Sequence, residues 1–463
     1  MNSVSDVLGA GTDRPLPEAL PPSSTRGWVL FFVFSLVFIL TITTLVLELS
    51  DVIATGGFVS KVGSHNIFWL WIVDMVISLV TAGGYALAVD RMERVRLTKY
   101  LMLAFAIIFL VLRFIFSMGT PDWISYPVLY IITDQIYAVF PLTFWAMVND
   151  QYTAAEGKRL FPIITMGTMI GSILGNGLAA LSAWILRQSG DDPTSLLPLG
   201  SLILLLGFVL LEVVFSKRTV NARKSHDDTV DIKQTINVGV DYIKNVPIFT
   251  YLALAMLLSG WAFAVIEYHF LYSVDQAVSQ DPLQFQAFYG IFKIILIIST
   301  LLIQALVSGK LMERIGLKSA FIIQPIALAI GAVLAFVVPG IYGAAGARYI
   351  VRLVQQAWDE PARKSLENLI PDERRGRVSV VIDRYFYDLS TIVASLVLGL
   401  LLLFGSNEAL SQTIVYIYMS LAVVASIIAI WAGSRLRAKY DESMLDWRLA
   451  RSRRKSVLTG IEF

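Results

Sequence analysis

The side chains best able to do chemistry in this chain are ionisable residues that lie deep inside long apolar segments. The deep basic residues are Arg113, Lys293, Arg348 and Arg352, and the deep acidic residues are Asp74, Asp134, Glu267 and Asp388. A charge buried at such a depth is costly, and it usually serves a function. Guanidinium and ammonium groups suit phosphate, which arginine binds through two parallel hydrogen bonds. These residues therefore indicate a binding site for an anion.

Two interpretations of the deep charges are open at the level of sequence. In the first, the deep basic residues line a cavity for an anionic substrate, Trp261 and Tyr268 stack on its ring, and the deep acids serve coupling or gating. Arg348 and Arg352 are four residues apart, so they share one helix face. In the second, the charges pair internally, for example Arg352 with Asp388, and only hold helices in register.

The segments that must position these residues are membrane-spanning helices. Of the 463 residues, 56% are hydrophobic and 16% are charged, whereas about 25% charge is usual in a soluble protein. This excludes an ordinary soluble enzyme and a disordered chain. We predict an all-α membrane protein of twelve transmembrane helices, each long enough to cross about 30 Å of hydrocarbon. The predicted segments are 27–49, 67–89, 99–117, 123–148, 159–186, 195–216, 248–275, 283–308, 319–338, 341–369, 378–404 and 411–434.

Basic residues in the loops predict the orientation. They concentrate in both tails and in the loops after every second segment, while the other side carries Lys61 and Arg187. By the positive-inside rule, both termini are cytoplasmic. We expect the membrane to be the plasma (inner) membrane. The predicted parts are a polar cytoplasmic tail, a six-helix bundle, a cytoplasmic linker, a second six-helix bundle and a basic cytoplasmic tail. Their bounds are 1–26, 27–216, 217–247, 248–434 and 435–463.

The two predicted bundles repeat each other. Met92-Glu93-Arg94 follows the second segment, and the same tripeptide at 312–314 follows the eighth. Repeated helical halves around a central site are typical of secondary transporters. Residues 88–96 resemble the loop 2–3 signature of the major facilitator superfamily, and residues 309–318 resemble the same signature in loop 8–9. The resemblance implies two pseudo-symmetric bundles and a cytoplasmic gate held by charge pairs. The gating residues that it implies are Asp90, Arg91, Arg94, Glu313 and Arg314.

A narrower resemblance lies in residues 144–150 (FWAMVND) and 158–162 (KRLFP). They are similar to the ATP/ADP translocase-like branch of the superfamily, and residues 373–378 and 382–384 resemble the matching segment of the second half. This resemblance implies a secondary transporter that works by alternating access. Its expected substrate is an anionic, phosphate-bearing solute such as a nucleotide, moved by exchange or with a proton.

Two other functions remain open. One is a proton-coupled importer or exporter of another small metabolite or drug, in which the deep acids carry the activity. The other is a receptor or lipid-handling protein that transports nothing. The expected partners are a small-molecule substrate and the lipid bilayer, with protons in the coupled case, and we expect a monomer.

Several classes of function are not indicated. No GxxxxGK[ST] loop or hydrolase motif is present, so we do not expect an enzyme. The chain has no cysteine, and His65, His226 and His269 are far apart, so we expect no metal and no cofactor. A net charge of +2 gives no reason to expect a nucleic-acid partner.

Two local patterns predict details of the helices. Pro361, in the tenth segment, predicts a kink, because proline removes a hydrogen bond of the helix. Gly167, Gly171 and Gly175 recur every four residues in the fifth segment, a spacing that lets helices approach closely. We interpret this glycine stripe as a packing surface, on which the two halves could also rock.

Overall fold

The computed structural model describes residues 24–152, 154–215, 247–308, 314–367, 385–403 and 408–459, and these are helical, with turns but no strand among them. In the first half the helices are α1 (Ser24–Gly57), α2 (Ile67–Arg91), α3 (Arg94–Ser117), α4 (Asp122–Asn149), α5 (Ala154–Ser189) and α6 (Leu197–Phe215). In the second half they are α7 (Pro247–Ala277), α8 (Pro282–Ile303), α9 (Leu317–Ala320), α10 (Ile323–Val337), α11 (Ile341–Val354), α12 (Glu360–Glu367), α13 (Phe386–Leu403) and α14 (Glu408–Thr459).

Among the described residues, 10 helical stretches are long and apolar enough to cross a membrane. The first, Phe31–Ala82, runs through α1, a π-helical segment (Phe58–Gly63), a short 3-10 helix (Ser64–Asn66) and α2. The prediction of an all-helical membrane fold is therefore confirmed in this coarser form. The stretch from α11 to α12 lies outside the 10, and it carries Arg348, Arg352 and Arg363.

The glycine stripe of α5 packs against α1 inside the first half. A Cβ atom on Gly167 would stand 2.5 Å from the carbonyl oxygen of Val37, and one on Gly175 would stand 2.5 Å from that of Leu45. Real side chains do not fit at such distances, so only glycine allows the two backbones to approach this closely. The stripe therefore fixes α1 in the middle of its own half, as the packing interpretation expects.

The two halves meet mainly along two pairs of helices, α5 with α8 and α2 with α13, and α1 also contacts α8. At the first, Gly290 of α8 lies against α5, where a Cβ would stand 2.7 Å from the carbonyl oxygen of Asn176. At the second, the Ser78 hydroxyl donates to Asp388 over 3.5 Å. We call the end of the molecule near residues 215 and 247 the linker end, and the opposite end the far end.

Hydrogen bonds join the halves at the far end too. The Ser64 hydroxyl donates to Asp275 over 3.2 Å, and the Gln286 amide donates to the carbonyl oxygen of Ala179 over 2.7 Å. The described polar contacts between the halves thus run from the middle of the molecule to its far end.

Helix α11 continues through a π-helical segment, Gln355–Asp359, which ends two residues before Pro361. Proline has no N–H for the carbonyl four residues earlier, and its ring crowds that carbonyl. A π-helical register relieves this conflict, and such segments are frequent at functional sites. The predicted irregularity is therefore present as a wider helical turn. At the end of the chain, α14 continues to Thr459 without a break at residue 434.

Candidate functional site

A cavity with a volume of about 420 Å³ lies between the two halves. Helices α1, α2 and α4 form its first wall, which we call the N wall. Helices α7, α8, α11 and α13, with the π-helical segment before α12, form the opposite wall, which we call the C wall. A cavity at the midplane between repeated halves is where secondary transporters bind their substrates.

Arg348 is the most enclosed cation of the C wall. Its Nε donates to Oε2 of Glu267 over 2.8 Å, and its Nη2 lies 2.5 Å from Oε1 of the same carboxylate. The Nη2 atom also donates to the Tyr289 hydroxyl over 3.0 Å, and the guanidinium lies 4.2 Å from the ring centre of Phe270. The remaining nitrogen, Nη1, is buried and has no hydrogen-bond partner among the described residues. Arg348 therefore has one nitrogen, Nη1, whose N–H groups no described residue accepts.

Arg352 lies one helical turn further along α11 and is held more loosely. Its Nη2 lies 3.9 Å from Glu267, and its Nη1 donates to Gln355 over 3.4 Å. Its guanidinium covers the ring of Phe263 at 4.3 Å. The side chain is 26% exposed, against 6% for Arg348. Arg352 is thus the arginine of this pair that a ligand reaches first, and its partner is Glu267, not the Asp388 of the pairing interpretation.

Lys293 of α8 crosses the cavity and binds two carboxylates of α1. Its Nζ lies 2.5 Å from Glu48 and 2.7 Å from Asp51. Glu48 also accepts hydrogen bonds from Ser172 over 3.0 Å and from Asn176 over 2.9 Å, so its carboxylate is fixed. Besides its contact with Lys293, Asp51 accepts one long hydrogen bond, from the Thr55 hydroxyl over 3.4 Å, and its side chain is 28% exposed. This three-residue cluster joins the two halves. Asp51 is held by fewer hydrogen bonds than Glu48, so it is the carboxylate that a solute displaces more easily.

The N wall holds two further carboxylates, Asp74 of α2 and Asp134 of α4. Oδ1 of Asp74 accepts a hydrogen bond from the Gln135 amide over 3.1 Å. Nearby, the Trp71 indole donates to the Tyr130 hydroxyl over 3.1 Å. The deep acids of the first half therefore share one side of the cavity.

The charges of the lining are segregated. Its described cations, Lys293, Arg348 and Arg352, all belong to the C wall. Its carboxylates belong to the N wall, with the exception of Glu267, and they outnumber the cations by five to three. The first interpretation of the sequence predicts a basic cavity, and the second predicts internal pairing of the deep charges. The structure shows a polarised cavity whose cations are engaged by the chain's own carboxylates.

Apart from the predicted gating residues, four of the predicted site residues lie outside the cavity lining. Arg113 donates to the hydroxyl of Thr194 over 3.0 Å, near the far end. Tyr268 is buried against Tyr418, with 5.8 Å between the ring centres, and Trp261 packs against the core of the protein. Asp388 is fully buried between the halves, where it faces Ser78.

Two of the predicted gating residues, Arg94 and Arg314, have described side chains, and both lie at the linker end. Arg94 of α3 pairs with Asp150 at 2.5 Å and also donates to the carbonyl oxygen of Ala146 over 3.4 Å, all within the first half. Arg314 is exposed. Glu313 and the side chains of Asp90 and Arg91 lie outside the described residues.

Sequence reasoning missed several lining residues. Glu48 and Asp51 lie near the predicted end of the first segment, but α1 continues to Gly57 and carries both into the cavity. The signal that could have found them is the pairing requirement of Lys293, because a buried ammonium needs a carboxylate. The aromatic residues that line the cavity carry no sequence signal that separates them from the core. They are Trp71, Tyr130, Tyr137, Phe263, Tyr289, Phe292 and Tyr387.

The sequence of this chain matches the model of a known protein family. A family model described as TLC ATP/ADP transporter matches residues 52–355, which is more than half of the chain. The matched region contains every charged residue of the described cavity lining except Glu48 and Asp51, and Asp51 lies immediately before the first matched position. The chain matches no curated protein sequence.

Solved structures of transporters share the fold. A mutant form of the nucleoside transporter NupG superposes with a TM-score of 0.64 at 16% identity, covering 87% of this chain and 99% of that one. A bacterial homologue of the iron transporter ferroportin, in an inward-facing state, gives 0.61 at 14% identity, covering 88% and 99%. The POT family transporter PepTSo gives 0.59 at 12% identity, covering 90% and 99%. At these identities the likeness concerns the fold alone.

Proposed function

Since the chain belongs to the TLC ATP/ADP transporter family, we propose that this multi-pass membrane protein exchanges nucleotides, or closely related phosphate-bearing anions, through its central cavity. It is a secondary transporter with the major facilitator fold. The observation that carries the nucleotide proposal is the set of cations on the C wall, Lys293, Arg348 and Arg352, gathered in a cavity between two repeated halves.

The contacts of these cations support a binding route for phosphate. Arg352 is the most exposed of the three and holds its carboxylate at 3.9 Å, so an incoming phosphate meets it first. The Nη1 donor of Arg348 lacks a partner among the described residues and supplies a second bond. Arginine binds phosphate bidentately through its planar fork. Glu267 and Asp51 then act as internal stand-ins that a phosphate displaces from the cations.

We extend the proposal to the topology and the site of action. The stretch Phe31–Ala82 counts as two crossings, and the charged stretch from α11 to α12 counts as one more, which gives twelve. The bundles are 27–216 and 248–434, joined by the linker 217–247. The basic residues of the linker end support an orientation with this end and both termini in the cytoplasm of a cell bounded by the plasma membrane.

Alternating access follows from the position of the contacts between the halves. The Lys293 cluster, the Gln286 bonds and the Ser64–Asp275 bond hold the middle and the far end together. In the proposed cycle these contacts break when the linker end closes, and Asp90, Arg91, Arg94, Glu313 and Arg314 form the gate at that end. A substrate shifts this equilibrium only by binding one state more tightly than the other.

The test is uptake of labelled ATP into liposomes that contain the purified protein and are either empty or preloaded with ADP. We expect uptake that requires internal ADP. Arg352→Gln should reduce it at least tenfold, the loss expected when a charged hydrogen bond of about 1.5–3 kcal/mol is removed. The matched control is Arg435→Gln, an exposed arginine outside both cavity linings, whose guanidinium lies 5.6 Å from the ring centre of Trp431 on its own helix. Absence of ATP uptake with folded protein contradicts the nucleotide proposal and leaves the transporter fold in place.

A second candidate function is proton-coupled transport of another small solute. The observation that favours it is the excess of carboxylates on the N wall, where Asp74 and Asp134 face the cavity. In that case Asp134→Asn, which removes a proton site with little change of shape, abolishes uptake driven by a proton gradient. Under the nucleotide proposal, ATP/ADP exchange by the same variant survives.

A further inference from the structure

A second cavity, with a volume of about 260 Å³, lies beside the central one within the second half. Its lining comes from α7, from the region where α10 begins, from the π-helical segment and α12, and from α13, so it lies toward the linker end. Phe263, Arg352 and Tyr387 line both cavities. The two spaces are therefore neighbours that share these three residues as a common wall.

The chemistry of the second cavity differs from that of the first. Its charged lining is balanced, with Arg352 and Arg363 against Asp359 and Glu360, and Arg363 donates to Asp359 over 2.9 Å. The rest of the lining is mostly apolar and includes two aromatic residues, Phe263 and Phe321. A neutral, planar group suits such a space, because it can stack on aromatic faces without bringing in a charge.

One polar group in this lining lacks a partner. Gln324 is only 5% exposed, yet its Oε1 makes no hydrogen bond among the residues that the structure describes. A buried amide oxygen without a partner is unfavourable, and native proteins rarely leave one without a reason. A glutamine amide matches the donor and acceptor pair on the edge of adenine, which is why glutamine is a frequent partner of that base.

We propose that the second cavity is the base subsite of the transported nucleotide. The base lies against Phe263 and Phe321, and the Gln324 amide pairs with the amino group and the adjacent ring nitrogen of an adenine. The phosphates cross the shared wall and bind Arg352 and Arg348 in the central cavity. This inference rests on the proposed nucleotide exchange and extends it by naming the residue that selects the base.

The test is equilibrium binding to the purified full-length protein, with three competing ligands. They are ADP, inosine diphosphate, in which an oxygen replaces the amino group of adenine, and pyrophosphate, which has no base. We expect the wild type to bind ADP more tightly than inosine diphosphate. In Gln324→Leu, we expect ADP to bind about tenfold more weakly and the preference between the two bases to disappear, because a bidentate contact to a base edge is lost. Pyrophosphate binding should not change, and this also reports that the variant is folded.

Two further variants complete the test. Gln304→Leu removes an amide of the same size from α8's π-helical extension, outside the lining of both cavities, where it donates to the carbonyl oxygen of Gln356 over 3.0 Å. It should leave the base preference unchanged. If Gln324→Leu does not fold, Gln324→Met serves in its place, with a longer apolar chain to fill the space.

The outcomes separate the two proposals. An unchanged ratio of ADP to inosine diphosphate affinity in both Gln324 variants overturns the base subsite while nucleotide binding stands. A wild type that binds pyrophosphate but neither nucleotide overturns the nucleotide exchange, and the base subsite with it. The same holds for a wild type that binds none of the three ligands.

Discussion

The two walls of the central cavity differ in how their charges are satisfied. On the C wall, Arg348 holds Glu267 through two contacts, and Lys293 reaches across to Glu48 and Asp51. On the N wall, the described lining has four carboxylates and no cation, and two of these carboxylates pair with a lysine of the other half. The comparison shows that the chain's own carboxylates already engage the cations. An anionic solute must therefore displace a carboxylate in order to bind.

Displacement gives the cavity a way to select its solute. A buried cation that loses its carboxylate is uncompensated, at a cost of about 3–5 kcal/mol. A phosphate group replaces the lost charge and the lost hydrogen bonds together, whereas a neutral solute cannot replace the charge. The same reasoning connects binding to movement. A solute that replaces Asp51 at Lys293 also loosens the contact between the halves.

The largest expected effect comes from breaking the Arg348 pair. Arg348→Met leaves Glu267 buried at 12% exposure with only Arg352 nearby, at 3.9 Å. We expect loss of about 3–5 kcal/mol in stability and loss of ATP/ADP exchange. Thermal unfolding in detergent and uptake in liposomes measure the two effects.

The double variant Arg348→Met with Glu267→Met separates stability from binding. Replacing both members of a buried pair by apolar side chains of similar volume is often neutral for stability. We expect the double variant to unfold near the wild-type temperature and still to transport nothing. Recovery of transport in the double variant would show that Arg348 serves only to hold helices together.

A smaller effect is expected from weakening the bridge between the walls. In Asp51→Asn, Lys293 keeps Glu48, which Ser172 and Asn176 hold in place, but loses its more exposed partner. The contact between the halves weakens, so the empty carrier reorients more easily. We expect ATP uptake into liposomes without internal ADP to rise several-fold, while exchange with preloaded ADP continues. If ATP uptake by this variant still depends strictly on internal ADP, Asp51 does not hold the two halves together.

Hydropathy and motif made most of the fold predictable. The helix α2 begins at Ile67, where the sequence predicts it, and α4 matches its predicted bounds to within one residue at each end. The predicted family resemblance is confirmed by the match over residues 52–355. The depth of a charge in its segment was also informative, since Lys293, Arg348, Arg352 and Glu267 do line one cavity. Their role in substrate binding stays a prediction.

Helix face was not predictable from the sequence. Glu267 lines the cavity and its neighbour Tyr268 is buried against Tyr418, because successive residues on a helix point about 100° apart. Most of α7 is apolar on every side, so no polar stripe shows which face meets the cavity. The pairing of charges was hidden for a related reason. The order of the predicted segments allows Arg352 to pair with Asp388. In the folded chain it is Glu267 of α7 that lies beside Arg352, at 3.9 Å.

The smallest expected effect concerns Arg113, which the sequence groups with the C wall cations and the structure separates from them. It lies in α3 near the far end and contacts the hydroxyl of Thr194, outside the cavity lining. Arg113→Gln keeps a donor of similar reach, so we expect a change in stability of about 1 kcal/mol or less, the value of one exposed or partly exposed hydrogen bond. The Michaelis constant for ATP should stay within about twofold of the wild type, whereas it should rise in Arg352→Lys, because lysine lacks the planar fork. A matching loss of affinity in both variants would place the anion path along α3 and remove the distinction between the C wall and the rest of the deep charges.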